Sequence, residues 1–349
     1  MRPLNPNSNS RTILRPRVTD ALHQGAREFQ EDAAGYWLHP GGGSVFAIVA
    51  DGAGGHGGGG QASLAAIQCA EKHWKSGIAK SKNPNERLAT WMADAHAAVN
   101  QNSPGTPDRS GRAAVVAVLA DGRDAHWIHA GDCRLYHIRE GKILSRTRDD
   151  SVVQVLLEQG EIQESEMGAH PDQNRLLQSL GGEHPPTPRH GSCSLLPNDI
   201  LLLCSDGLWE RLTPHEIEAL ATAVDPPSAL REALETAAKR GGPKADNASA
   251  ILLTFDPCPA PRSFPWLPLF ITITLILLGV LLAARAGYLP MPQVLHPIIG
   301  YERDDPTPDQ VRNATDPPIP AQDPATQHPA PENSPAASET TTPADAPAE

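Results

Sequence analysis

The sequence has no pair of cysteines at C-x-x-C spacing and no His/Cys cluster. Its five cysteines, Cys69, Cys133, Cys193, Cys204 and Cys258, are isolated and odd in number. That argues against a disulfide framework or a thiolate zinc site and for reduced thiols in a cytoplasmic compartment. There is also no apolar run near the start. Residues 1–17 are polar and proline-containing, so no signal peptide is expected, and whatever folds after them is expected to stay where it is made. Positive charge is scarce: the formal net charge is −12, with ten acids and two arginines beyond residue 285 (−8), 31 acids against 25 Lys plus Arg over residues 1–256 (−6), and Arg262 and Arg285 supplying +2. A domain so balanced has no general attraction for nucleic acid, which is not expected as a partner. No internal repeat is visible, and the glycine-rich stretch 52–60 runs into Gln61-Ala62 where a nucleotide P-loop needs Gly-Lys-Ser/Thr.

The chain's 35 prolines are unevenly spread, more than half lying beyond Asp256. Residues 1–17 read as a loose arm. Residues 18–256 alternate short apolar runs with Gly, Asn and Asp turns, as expected of one domain with a real core. A Pro-rich linker, 257–265, precedes WLPLFITITLILLGVLLAA at 266–284, which has no charged residue. At helical rise this run covers about 28 Å and reads as one transmembrane helix. The tail, 285–349, is rich in Pro, Ala, Thr and Asp and nearly free of aromatics, so it is expected to be disordered. Flanking charges barely set an orientation. The missing signal peptide and the unpaired thiols do: single-pass in the cell (inner) membrane, with residues 1–263 cytoplasmic.

Within the domain, VFAIVA (45–50) is a continuous apolar run bounded by glycine turns and predicts a buried strand. Similar runs fall at 113–119, 200–204 and 249–254, and helical spacing at 61–74, 84–99, 151–159, 214–223 and 228–239. Asn83, Pro84 and Glu86 form an N-terminal capping signature for the second helix. The first strand runs directly into Asp51-Gly52-Ala53-Gly54-Gly55-His56. A carboxylate at the end of a rigid strand has little freedom, and the glycines let carbonyls and a ligand approach, which suits a hard divalent cation. LLLCSDG at 201–207 repeats the arrangement at Asp206. Asp246 precedes another strand, Asp132 sits in a turn between two, and Arg27, Glu31 and Asp32 cluster near the start. Taken singly, each is an ordinary turn acid; their shared placement at strand boundaries is the signal.

The blocks Arg-x-x-x-Glu-Asp, Asp-Gly-x-Gly-Gly-His, Gly-Asp-x-Arg-Leu-Tyr, Ser-Asp-Gly-Leu and Asp-Asn, in this order over about residues 18–256, resemble the metal-dependent type-2C (PPM) Ser/Thr protein phosphatases, especially compact bacterial members. The resemblance implies an α+β fold, a four-layer α-β-β-α sandwich of two packed, mainly antiparallel sheets flanked by helices. It implies two Mn²⁺ or Mg²⁺ ions, with Asp51 bridging them, Asp206 and Asp246 completing one site, Glu31 and the Gly52 carbonyl serving the other, and Asp32 acting through a water. Asp132 matches an acid of a weaker third site, and Arg27 matches the phosphate-binding arginine. His56 either protonates the leaving group or positions substrate. Departures from the family pattern include Gln30, Ala53, Gln61 and Cys133, and Arg112-Ala113 replace a usual Thr-Thr pair. Cys133 beside Asp132 reads as a small packing residue rather than a redox switch.

The implied function is hydrolysis of phosphoserine and phosphothreonine in proteins by a dinuclear-metal-activated water, opposing a cognate Ser/Thr kinase. The alternative is a membrane-tethered pseudophosphatase that binds phosphoproteins without cleaving them. Oxygen ligands with retained waters suit Mg²⁺ and Mn²⁺ better than zinc.

Overall fold

The structure is a computed structural model and describes residues 13–54, 58–80, 82–102, 111–258 and 266–286. Ten strands and seven α-helices follow in the order β1 (Ile13–His23), β2 (Ala33–Leu38), β3 (Ser44–Ala53), α1 (Gly58–Lys75), α2 (Pro84–Asn102), β4 (Arg112–Asp121), β5 (Asp124–Ala130), β6 (Arg134–Arg139), β7 (Lys142–Arg146), α3 (Val152–Glu158), β8 (Arg189–Ser194), β9 (Ile200–Cys204), α4 (Asp206–Trp209), α5 (Pro214–Leu220), α6 (Pro226–Gly241), β10 (Ala248–Cys258) and α7 (Trp266–Arg285). The strands form two five-stranded sheets, ordered β1-β10-β9-β6-β7 and β2-β3-β4-β5-β8, with antiparallel pairing throughout.

Three apolar layers explain why the central strands read as unbroken apolar runs. Val45, Val49, Val116 and Val118 of one sheet pack with Leu135, Leu203, Ile251 and Leu253 of the other. The outward faces carry separate clusters: Phe46, Ile48 and Val115 lie against α1 and α2, and Leu202 and Leu252 against Trp209, Leu230 and Leu234. A strand buried on both faces has no polar alternation to show. Helix α1 turns Ala62, Ala66, Cys69 and Ala70 inward, small side chains that let it lie close to its sheet. Helix α2 starts as its signature predicts, the Glu86 amide donating to Asn83 Oδ1 at 3.3 Å. The expected four-layer α-β-β-α arrangement is present.

Two expectations change. Residues 13–17, assigned to a loose arm, belong to β1 and pair with the end of β10, Ile13 opposite Cys258 and Arg17 opposite Thr254; Leu14 is fully buried. Alternating Arg and Pro hid a strand that takes its apolar contacts from only a few positions. The domain's last strand likewise runs to Cys258, two residues past the expected boundary. The chain divides into compact units at 264/265. In the second unit the predicted helix forms as α7, but among the described residues no helix is long and apolar enough to cross a membrane. The transmembrane assignment is therefore not carried by these residues. The tail beyond 286 and residues 1–12 lie outside the described residues.

Candidate metal centre

The predicted acids meet at one pole of the sandwich, where β3, β5 and β9 end and β4, β6 and β10 begin. A cleft of about 360 Å³ there is lined by Arg27, Glu31, Asp51, Gly52, Asp132, Asp206 and Asp246. Asp51 is held by β3 directly opposite Ala114 of β4. Asp206 is the first residue of α4, immediately after β9. Asp246 leads into β10, and Asp132 lies in the three-residue turn, Gly131 to Cys133, between β5 and β6. His56 lies outside the described residues.

Glu31 and the backbone of Gly52 approach each other across Gly59 at the start of α1. A Cβ on Gly59 would lie 2.6 Å from the Gly52 carbonyl oxygen and 2.8 Å from Glu31 Oε1, so these two oxygens converge on one point. Only glycine permits the approach. Asp32, almost wholly buried, sits behind this edge and accepts a hydrogen bond from Ser205 Oγ at 2.7 Å. Ser205 Oγ in turn accepts from the Ser249 amide at 2.9 Å.

The electrostatics are those of crowded carboxylates. Burial pushes the Asp51 and Asp132 carboxyls well above the ordinary range, and neighbouring acids push them further, Asp32 and Asp206 for Asp51 and Asp206 and Asp149 for Asp132. Burial also lifts Asp32 to about 7, against the Ser205 hydrogen bond, and Asp206 to about 6, with Asp246 adding to the lift. Asp206 Oδ1 is buried with no hydrogen-bond partner among the described residues. Among the described residues Arg27 is the one cation in the cleft, its Nη2 2.5 Å from Asp246 Oδ2, and its side chain is half-exposed.

This donor set fits hard divalent cations: among the described residues the lining offers carboxylate and carbonyl oxygens with no thiolate or imidazole beside them. Among the described residues no three such side chains are drawn tightly around a single point, although five acids share the cleft. The shared cleft is the more relevant observation, because Mg²⁺-like ions keep several waters and need only one or two direct carboxylates each. An orphaned buried carboxylate oxygen and four acids that raise one another are the arrangement a cation would relieve.

Other residues support these acids in roles that the sequence motifs containing them do not reveal. Asn247 Oδ1 accepts from the Glu31 amide (2.7 Å), and its Nδ2 donates to the Gln24 (2.8 Å) and Phe29 (3.1 Å) carbonyls, clamping the Arg27–Glu31 loop to the start of β10. Arg134, quoted in a motif but assigned no role, forms a buried fork with Asp149, Nε to Oδ1 2.9 Å and Nη2 to Oδ2 2.7 Å, and stacks 3.4 Å from the Trp209 ring. Trp209 Nε1 then donates to the Asp132 carbonyl at 3.0 Å. Asn174 and Leu176 of the segment following the 3-10 turn Glu164–Ala169 line the cleft. His170 caps its own turn, accepting from the Asp172 amide at 3.1 Å. Cys133 is buried, and burial first, then Asp51, pushes its thiol well above its ordinary range, which agrees with a packing role and leaves a redox switch unsupported.

A two-sheet sandwich flanked by helices, with acids gathered at one pole, defines a metallophosphatase-like class, and residues 20–245 match the family profile described as Protein phosphatase 2C. The chain belongs to this family of Ser/Thr protein phosphatases. It is 30% identical over 216 residues to protein phosphatase PhpP of Streptococcus pneumoniae, covering 61% of this chain and 87% of that one. It is 30% identical over 251 residues to the Ser/Thr protein phosphatase PstP of Mycobacterium tuberculosis, covering 70% of this chain but 43% of PstP, so the match spans less than half of that relative. The crystal structure of PstP/Ppp superposes with a TM-score of 0.60 at 25% identity, covering 70% of this chain and all of the solved one.

Proposed function

We propose that the domain hydrolyses phosphoserine and phosphothreonine in proteins with the help of two bound divalent cations, Mn²⁺ or Mg²⁺, and opposes a Ser/Thr kinase. The observation that carries this reading is the convergence of Glu31, Asp51, Asp132, Asp206 and Asp246 with Gly52 in one cleft. The PstP catalytic domain has been solved in complex with two manganese ions. Here Asp51, Asp206 and Asp246 would hold one cation, Asp51, Glu31 and the Gly52 carbonyl the other, and Asp132 a weaker third. When bound, such cations supply Lewis acidity toward the phosphoryl oxygens and lower the pKa of the attacking water.

The chain's own groups do the rest. Arg27, half-exposed on the cleft rim, offers a planar fork to the non-reacting phosphate oxygens and exchanges its Asp246 partner for them. Unneutralised, the five acids would repel a phosphate dianion, and bound cations would supply the positive charge that offsets them. Asp32, hydrogen-bonded by Ser205, holds a proton-accepting oxygen behind the cleft. The full chain should release phosphate from p-nitrophenyl phosphate and a phosphothreonine peptide with Mn²⁺. Asp51→Asn and Asp246→Asn should abolish both activities, and turnover that persists in EDTA overturns the proposal.

The location belongs to the same proposal: α7 attaches the domain to the cytoplasmic face of the cell membrane. Large apolar side chains exposed along it, including Phe270, Ile273, Leu277 and Leu281, support attachment to lipid rather than burial in protein. Full chain that stays in the soluble fraction of the producing cell would refute it.

A further inference from the structure

Next to the acidic cleft lies a second cavity of about 490 Å³, with Arg112, Leu177, Glu183 and His184 in its lining, and Leu176 forms part of both walls. Arg112 opens β4 opposite Ala53, two residues before Ala114, which faces Asp51. Alternate strand residues share a face, so Arg112 stands on the Asp51 face, about 7 Å along the strand from the Asp51–Ala114 pair. That is also the distance between alternate residues of an extended peptide. Arg27 is already paired with Asp246, whereas Arg112 is exposed and has no ion-pair partner among the described residues. Its guanidinium lies over the Gly182 backbone, where a Cβ would come within 3.2 Å of Nη2. Beside it Leu177 is exposed by 56%, an apolar surface on the same wall. This arginine occupies the position where the family resemblance leads one to expect a small hydroxyl residue.

We propose that this second cavity is the subsite for the substrate chain beside the phosphorylated residue, and that Arg112 selects an anionic side chain, a carboxylate or second phosphate, two positions away. The reading rests on the phosphatase function proposed above. Glu183 is the other formal charge in the lining, but it belongs to the loop beyond Gly182, whereas Arg112 sits on the strand that runs into the acidic cleft. A substrate anchored by its phosphate therefore meets Arg112 first. The Leu177 surface receives the aliphatic part of the flanking residue.

The test uses the full chain with Mn²⁺ and paired phosphothreonine peptides that differ only in Asp or Lys two residues from the phosphothreonine, on either side. The native protein should prefer the Asp peptide by about fivefold in kcat/KM at low salt, the scale of one partly exposed charge pair. Arg112→Glu should reverse the preference and Arg112→Lys should keep it, with thermal melting reporting that both variants fold. No preference in the native protein, or the same preference in Arg112→Glu, overturns the proposal. Failure of the native protein to hydrolyse even p-nitrophenyl phosphate removes the phosphatase reading and this one with it, and is distinguished by that measurement.

Discussion

Asp206 presents a buried oxygen without a described partner in a carboxyl raised to about 6 by burial and by Asp246. Replacing it with asparagine removes a buried charge and relieves its neighbours. In EDTA, Asp206→Asn should therefore melt higher than the native chain, by roughly 1–2 kcal/mol of stability. With Mn²⁺ its turnover should fall on the order of 10²–10³-fold, the scale of losing one positioned electrostatic group. Calorimetry and phosphate release check the two halves. Ser205→Ala acts in the opposite sense, leaving Asp32 without its hydroxyl donor at a cost of about 1–3 kcal/mol, seen as a lower melting temperature. The acids were legible in the sequence because each ends or begins an apolar strand. Ser205 was not, since a hydroxyl beside an aspartate carries no periodicity, and its bond to Asp32 joins residues 173 apart.

The loop bearing Arg27 and Glu31 keeps its place through Asn247, which makes three hydrogen bonds to it. Asn247→Ala should speed amide exchange at Glu31 and cost roughly 1–3 kcal/mol, while urea melts of the variant remain cooperative. The pair Arg134–Asp149 props the turn of Asp132 through Trp209, and both side chains are almost completely buried. Arg134→Met leaves the buried Asp149 only the more distant Arg146 Nη1, 3.9 Å away, and a loss of about 3–5 kcal/mol is expected in chemical denaturation. Element types were readable from apolar runs and caps, and α5 begins as its proline predicts, with Thr213 and Glu216 forming a capping box. Less readable were β1, whose arginines and prolines break the pattern, and the end of α5 at Leu220 rather than 223. Local propensity does not say where tertiary packing stops a helix.

For the molecule as a whole, two sets of acids pull stability in opposite directions with pH. Asp199 is buried, which pushes its carboxyl up, but Arg139, the Leu196 amide and His137 outweigh this and hold it below the ordinary range. That stabilisation is present above the unfolded carboxylate pKa, about 3.9, and is lost as pH falls through the folded value. Asp32 and Asp206, raised to about 7 and about 6, bind more protons folded than unfolded, so their contribution falls as pH rises from about 4 toward 7. Without metal the chain should be most stable between about pH 4 and 6, and Mn²⁺ should shift the optimum upward; melting curves across pH with and without EDTA decide this. The sandwich was legible because its blocks carry a family pattern. The pairing of the first strand with the last was not, since the residues concerned stand 245 apart from Ile13 to Cys258. That pairing has a practical side. Asp246 stands just before β10, and the chain leaves the domain at Cys258, ten strand steps or about 34 Å further on, beside the entry at Ile13. The described domain thus begins and ends at the pole opposite the cleft, which keeps the cleft mouth clear of the points where the chain enters and leaves it.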